Sequence, residues 1–183
     1  MKHPKTITSL LTLCLSAASW ANADTPQLYL NQNLGFNVPG YNYAQSEYPC
    51  DLDKVLVQSI IDRGAAQKLQ IEAAGTADKL QNASIPVLAI DIEALVLGEE
   101  QFGTRSRSNL PSVKVTTALI HEDLPEGFVT ATHSCAIATL NQLTPSSNVL
   151  DMGTYGHTVC SATHKCLNDL GKDIVQWVKP QLR

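Results

Sequence analysis

The sequence predicts an α+β domain with two layers. A mostly antiparallel sheet of four or five strands is covered on one face by two helices, near 51–63 and 159–179. Three observations carry this. Three apolar stretches with strand-like patterning follow one another between residues 85 and 140, joined by short polar links, as in an antiparallel meander. Two stretches with helical spacing flank them. The 160 residues from Asp24 to Arg183 are enough for one hydrophobic core.

The first 23 residues are set apart. Lys2 and Lys5 form a basic start, an apolar stretch runs from Ile7 to Ala18, and Ala21-Asn22-Ala23 is an A-x-A cleavage site. This is the pattern of a bacterial secretory signal peptide, too short in its apolar part to span a bilayer. The rival reading is a lipid anchor at Cys14. It is opposed by Leu11-Thr12-Leu13, which puts Leu where a small residue is wanted. The expected address is periplasmic or secreted, with no transmembrane segment.

Residues 24–49 read as an N-terminal arm ahead of the 50–183 domain. Gln27 to Val38 holds one strand candidate, and "PGYNYAQSEYP" reads as a loop. Tyr29, Tyr41, Tyr43 and Tyr48 concentrate here. They form either a contact surface or the packing of an irregular arm over the sheet. The first helix follows, with Leu52, Val55, Leu56, Ser59 and Ile60 on one side. Asp51 suits its N-cap, Asp53 suits the positive end of the dipole, and Gly64 either stops the helix or lies within it. "QKLQIEA" (67–73) alternates as a strand, and "AGTADKLQNAS" reads as a linker with room for a helical turn.

The meander candidates are 85–98, 112–121 and 127–140. In the last, Val129, Ala131, His133, Cys135 and Ile137 share one face. Residues 141–157 read as a loop. The final helix, 159–179, ends at Pro180. On a wheel of about 100° per residue with Leu170 at zero, Cys166 falls near −40°, and Ile174, Leu167, Cys160 and Val178 fall between about 40° and 80°. Both cysteines therefore lie at the edges of the apolar stripe. Lys165, Asn168, Lys172 and Gln176 fall outside it.

After the leader, 11 basic and 17 acidic side chains leave a net charge of −6. Nucleic acid and anionic membrane surfaces fit this balance poorly. Four cysteines remain: Cys50, Cys135, Cys160 and Cys166. An even number in an exported chain reads as two disulfides, with three possible pairings. If Cys160 and Cys166 are both helical, their Cα atoms stand roughly 10 Å apart, beyond the about 7 Å limit for a bridge. They bond to one another only if the helix starts after Cys160; otherwise their partners are Cys135 and Cys50. The alternative use of the same residues is a zinc or copper site. His157, Cys160 and His164 would line one helical side, with Cys166, His133 and Cys135 nearby. The spacing matches no common zinc module. There is no C-x-x-C redox motif.

Asp91 and Glu93 point to one face of a strand. This is a spacing for paired carboxylates in glycoside hydrolysis, or simply the solvent side of an amphipathic strand. There is no G-x-S-x-G, H-E-x-x-H, Walker or Rossmann signature, and no cofactor is expected. The function expected is an exported, non-catalytic accessory or binding protein stabilised by disulfides, acting on an envelope protein or ligand. The alternatives are a Cys/His metal-binding protein and a hydrolase with an unrecognised site.

The stretch "VCSATHKCLNDLGKDIVQWVKP" and the upstream Cys50-Asp51-Leu52-Asp53 resemble a group of small exported bacterial proteins of uncharacterised function. Their pattern has two cysteines six positions apart, then L-G-[KR]-D-[IL]-x-x-W. The resemblance covers about a fifth of the chain. It implies an exported α+β domain with cysteine staples and supplies no activity. Cys135 is not part of that pattern. The Gly-rich stretch usual before the helix is replaced here by "SSNVLDMGTYGH".

Overall fold

The computed structural model describes residues 26–81, 84–97, 112–136 and 154–182, with side chains of the last stretch from residue 160 onward. The elements in chain order are β1 (Leu28–Asn31), β2 (Gly35–Phe36), α1 (Leu52–Ala66), β3 (Ile71–Ala74), α2 (Ala77–Leu80), β4 (Val87–Val96), β5 (Ser112–Ile120), β6 (Phe128–Ala136) and α3 (Thr154–Gln181). The fold is α+β. One sheet runs β3-β1-β4-β5-β6, and β2 also pairs with β4, further along that strand than β1 does.

The two long ladders, β4·β5 and β5·β6, are antiparallel and form the expected meander. The N-terminal side differs. β1 pairs in parallel with both β3 and β4, and β2 in parallel with β4. Parallel neighbours need a crossover rather than a hairpin, and α1 and α2 lie in those connections. The segment read as an arm thus supplies a strand inside the sheet. Leu28 and Leu30 are fully buried toward the helices, and Tyr29 is buried on the other face. That burial on both sides hides the period-two signal a half-exposed strand would show.

Strand periodicity explains the layers. In β5, Val113, Val115, Thr117 and Leu119 are buried, while Lys114 and Ile120 are exposed. Leu88, Ile90 and Ile92 of β4 face the same core. A bulge at Glu93 breaks the register, and Leu95 then returns to the core side. α1 contributes Leu52, Leu56 and Ile60, and α3 contributes Cys166, Leu167, Leu170, Ile174, Val175 and Val178. Lys165, Asn168, Lys172 and Gln176 are exposed, on the outer side of the α3 wheel.

Several boundaries move. α1 runs through Gly64 to Ala66, and the turn after it takes up Gln67–Gln70, with Lys68 at φ 61°. The strand there is therefore Ile71–Ala74 rather than 67–73. α3 begins at Thr154, inside the expected loop, and carries Pro180 in its last turn. Near a C-terminus proline lacks only one N–H and need not break the helix at once. The two helices approach closely where Gly171 meets Ser59. A Cβ on Gly171 would lie 2.3 Å from Ser59 Oγ, so the glycine is required by the close approach of the helices. A second, smaller apolar cluster lies on the other face, with Tyr29, Ala74 and Val87 packed by Leu80 of α2 and Ile85.

Candidate functional site

The helical cysteines do not bond to one another. Cys50 joins Cys160 with Cα atoms 5.2 Å apart, and Cys135 joins Cys166 at 5.5 Å. The first bridge ties the entry of α1 to α3; the second ties β6 to α3. Cys166 is fully buried and half-buried Cys135 packs against the same core; Cys50 and Cys160 are both half-buried at its edge. The sulfurs joined in pairs are not thiolate metal ligands. Among the described residues no group of three or more His, Cys, Asp or Glu is placed to hold a metal.

The histidines named with them have other partners. His164 Nε2 donates to the Cys50 carbonyl oxygen at 2.8 Å, closing the same corner as the first disulfide. His133 is buried on the helix-facing side of β6. Its Nδ1 donates to Asp173 Oδ2 of α3 at 2.6 Å, and its Nε2 meets Thr117 Oγ1 of β5 at 3.2 Å. The Trp177 ring packs edge-on against it, 5.6 Å between centroids. The side chain of His157 lies outside the described residues, as does Ile137.

Thr117, His133 and Asp173 have the residue types of a nucleophile–base–acid chain, but the chemistry does not follow. Thr117 is fully buried and its hydroxyl bonds the Ala131 carbonyl, so no substrate reaches it. The three side chains instead tie two strands to α3, giving a buried histidine the partners that burial demands. Sequence reasoning placed His133 among metal ligands and missed Thr117 and Asp173. The available signal was a polar residue on an apolar strand face, which requires a partner from the covering helix.

Asp91 and Glu93 do share the uncovered face of the sheet. Glu93 accepts from Thr116 and pairs with Lys114 Nζ at 2.7 Å. The Lys114 and Thr116 hydrogen bonds hold its carboxyl below the usual glutamate range. Both partners are substantially exposed, so the pair is a surface feature of β4 and β5. Further along this face, Ile120 and Phe128 form an exposed cross-strand pair beside Val87.

The remaining candidate is the aromatic loop after β2. Phe36 packs against the core and holds Tyr43 edge-on at 5.4 Å and Tyr48 at 5.1 Å. Tyr48 is buried and donates its hydroxyl to the Leu34 carbonyl at 2.9 Å. Burial pushes its phenol pKa up, and the Asp53 and Asp91 carboxylates add to this. Tyr41 stacks on Tyr43, 5.8 Å between centroids and 16° between planes, and is 58% exposed. Buried Tyr48 thus anchors, through Phe36, a stacked pair of exposed rings. Such a platform suits stacking and hydrogen bonding rather than bond-making chemistry. Of the four tyrosines singled out in the sequence, Tyr41, Tyr43 and Tyr48 meet here; Tyr29 lies under α2 instead.

No protein-family model matches this chain, and no curated protein matches it. Solved structures do. The hypothetical protein CT253 from Chlamydia trachomatis is 12% identical with a TM-score of 0.50, over 86% of this chain and 98% of that one. The protein XCC0632 of Xanthomonas campestris, assigned to DUF330, is 18% identical with a TM-score of 0.47, over 86% and 87%. The PelC dodecamer of Paraburkholderia phytofirmans is 13% identical with a TM-score of 0.42, over 80% and 87%. At these identities the likeness to the Chlamydia trachomatis protein is one of fold alone: this chain is an α+β domain of that shape, stapled by two disulfides.

Proposed function

We propose that this chain is an exported, non-catalytic accessory or binding protein whose working surface is the aromatic platform of Tyr41 and Tyr43. The observation that carries the reading is the exposed stacked pair, anchored through Phe36 and buried Tyr48 to a rigid, disulfide-tied core. Rigid aromatic side chains give large contact area at low entropic cost. Two disulfides suit an oxidising compartment, and no described helix is long and apolar enough to cross a membrane. The export part of the reading places the mature start at Asp24. Intact-mass analysis of fractionated cells checks it, and a lipidated species beginning at Cys14 would overturn it. The surface is tested by a photo-crosslinking side chain placed at position 41 in the living cell, with position 54 on the outer side of α1 as control. Defined adducts from position 41 and none from position 54 support the platform. Equal or absent adducts at both positions refute it.

A further inference from the structure

We propose that the Cys50–Cys160 bridge is a thiol-sensitive clip that controls the aromatic platform, whereas Cys135–Cys166 is a permanent staple of the core. The inference rests on the platform being the working surface and adds its regulation. Four observations converge on the clip.

The first is access. Cys50, Cys160 and Cys135 are each half-buried, but both sulfurs of the first bridge stand outside the main core, whereas the second bridge ends in fully buried Cys166 and its Cys135 packs against that core. An attacking thiolate needs an approach to sulfur, and exposed bridges are the labile ones. The second is backbone strain. Cys50 and Asp51 have φ of 59° and 48°. Two consecutive residues with a Cβ in the left-handed region are unfavourable and persist only when their surroundings hold them. The clip holds Cys50 from one side and α1 begins on the other, so opening the clip releases this turn.

The third is the direction of attack. Cys50 lies just before the first turn of α1, and the Asp51 side chain makes no capping bond there. The positive end of the helix dipole favours a thiolate beside it, and Lys54 pairs with Asp51 and offsets its charge. Cys50 is therefore the better leaving group. A small thiol attacks Cys160 Sγ as its thiolate. A sulfur–sulfur bond forms there, the Cys50–Cys160 bond breaks, and its electron pair leaves on Cys50 Sγ, which then takes a proton from water. A second thiol displaces the first from Cys160. The balance is two thiols oxidised to one small disulfide, and one protein disulfide reduced to two protein thiols. The fourth observation is connection. Cys50 follows Tyr48 and Pro49 directly, and Tyr48 packs on Phe36, which seats Tyr43. After opening, the His164 bond to the Cys50 carbonyl is what remains between this corner and α3 among the contacts described above.

The experiment exposes the mature, oxidised protein, in native buffer, to graded glutathione, with alkylation quench and peptide mapping. The expected result is reduction of Cys50–Cys160 about tenfold or more ahead of Cys135–Cys166, with the mixed disulfide trapped on Cys160. Hydrogen exchange should rise across residues 37–51 in the half-reduced protein while β5, β6 and the second half of α3 keep their protection. A Cys50→Ala/Cys160→Ala double variant, never exposed to thiol, should show the same exchange pattern. Simultaneous reduction of both bridges, or earlier loss of Cys135–Cys166, overturns the proposal. So does selective reduction that leaves residues 37–51 unchanged. A mixed disulfide on Cys50 overturns the direction of attack. The two readings fail separately. Selective opening with altered exchange, but no crosslinks from position 41, removes the platform as a working surface and leaves the clip. Crosslinks from position 41 that are indifferent to glutathione remove the control and leave the platform.

Discussion

The two faces of the sheet are built from the same strands and do different work. On β5, Val113, Val115, Thr117 and Leu119 face α1 and α3 and are buried; Ser112, Lys114, Thr116, Ala118 and Ile120 face away. β6 repeats the division, with Val129, Ala131, His133 and Cys135 inward and Phe128, Thr130, Thr132, Ser134 and Ala136 outward. The buried polar side chains of β5 and β6 on the covered face are matched one by one. His133 has Asp173 and Thr117, and Thr117 has the Ala131 carbonyl. On the open face Glu93, Lys114, Thr116 and Thr132 form a loose row that water also reaches. Stability therefore resides mainly on one side: the covered face carries the main core and a staple, and the opposite face carries only the small Tyr29, Ala74 and Val87 cluster beside exposed positions of β5 and β6.

The largest effect expected on this contrast is at Cys166. Cys166→Ser removes the Cys135 bridge and leaves a hydroxyl in a fully buried apolar site. It should cost about 2–5 kcal/mol in urea unfolding. Parent-like stability would break the contrast at its strongest point.

Next is the seam between the helices. Gly171→Ala should cost about 1–3 kcal/mol, because the new methyl meets Ser59. Ser59 Oγ is buried with no hydrogen-bond partner among the described residues. Ser59→Ala alone should therefore be neutral or stabilising by up to about 1 kcal/mol. It should rescue Gly171→Ala in part, since the Ser59 Cβ would still lie 2.9 Å from the new methyl. A double-mutant cycle in urea measures the coupling, and simple additivity would mean the helices separate freely.

A smaller effect is expected from acid on the open face. The folded protein holds the Glu93 carboxyl below its ordinary range through Lys114 and Thr116. A lowered folded pKa contributes stability that is present above the unfolded value and lost as pH falls through the folded one. Glu93→Gln should therefore lower stability slightly at neutral pH, converge with the parent in acid, and so flatten the acid limb of the stability–pH curve. An acid limb identical to that of the parent would show that the pair is fully screened.

The smallest effects sharpen the contrast from the other side. Lys172→Ser, on the outer side of α3, and Thr130→Ala, on the open sheet face, should each lie within about 0.5 kcal/mol of the parent. A loss above 1 kcal/mol at Thr130 would mean that the open face is covered after all.

How much of this was legible in the sequence follows from how local each signal is. The alternation of Val113 to Leu119 fixes a strand and its buried side without reference to any other element. The spacing of Cys166, Leu170 and Ile174 does the same for α3, and it placed both helical cysteines on the apolar edge. β1 was legible only as a candidate, because a four-residue strand buried on both faces offers no period. The exposed tyrosine platform was visible as composition, but which of its tyrosines would be anchored was not.

The sequence by itself determined the class of the domain, the inward faces of β4, β5, β6 and α3, and the rule that two residues six apart in one helix are too distant to bridge. Only the tertiary structure decided that β1 enters in parallel between β3 and β4, that Cys50 meets Cys160 while Cys135 meets Cys166, and that His133 meets Asp173. The physical reason is range. Periodicity reports the surroundings of neighbouring residues, whereas partners 31, 40 and 110 positions apart are chosen by the packing of whole layers, which no short stretch encodes.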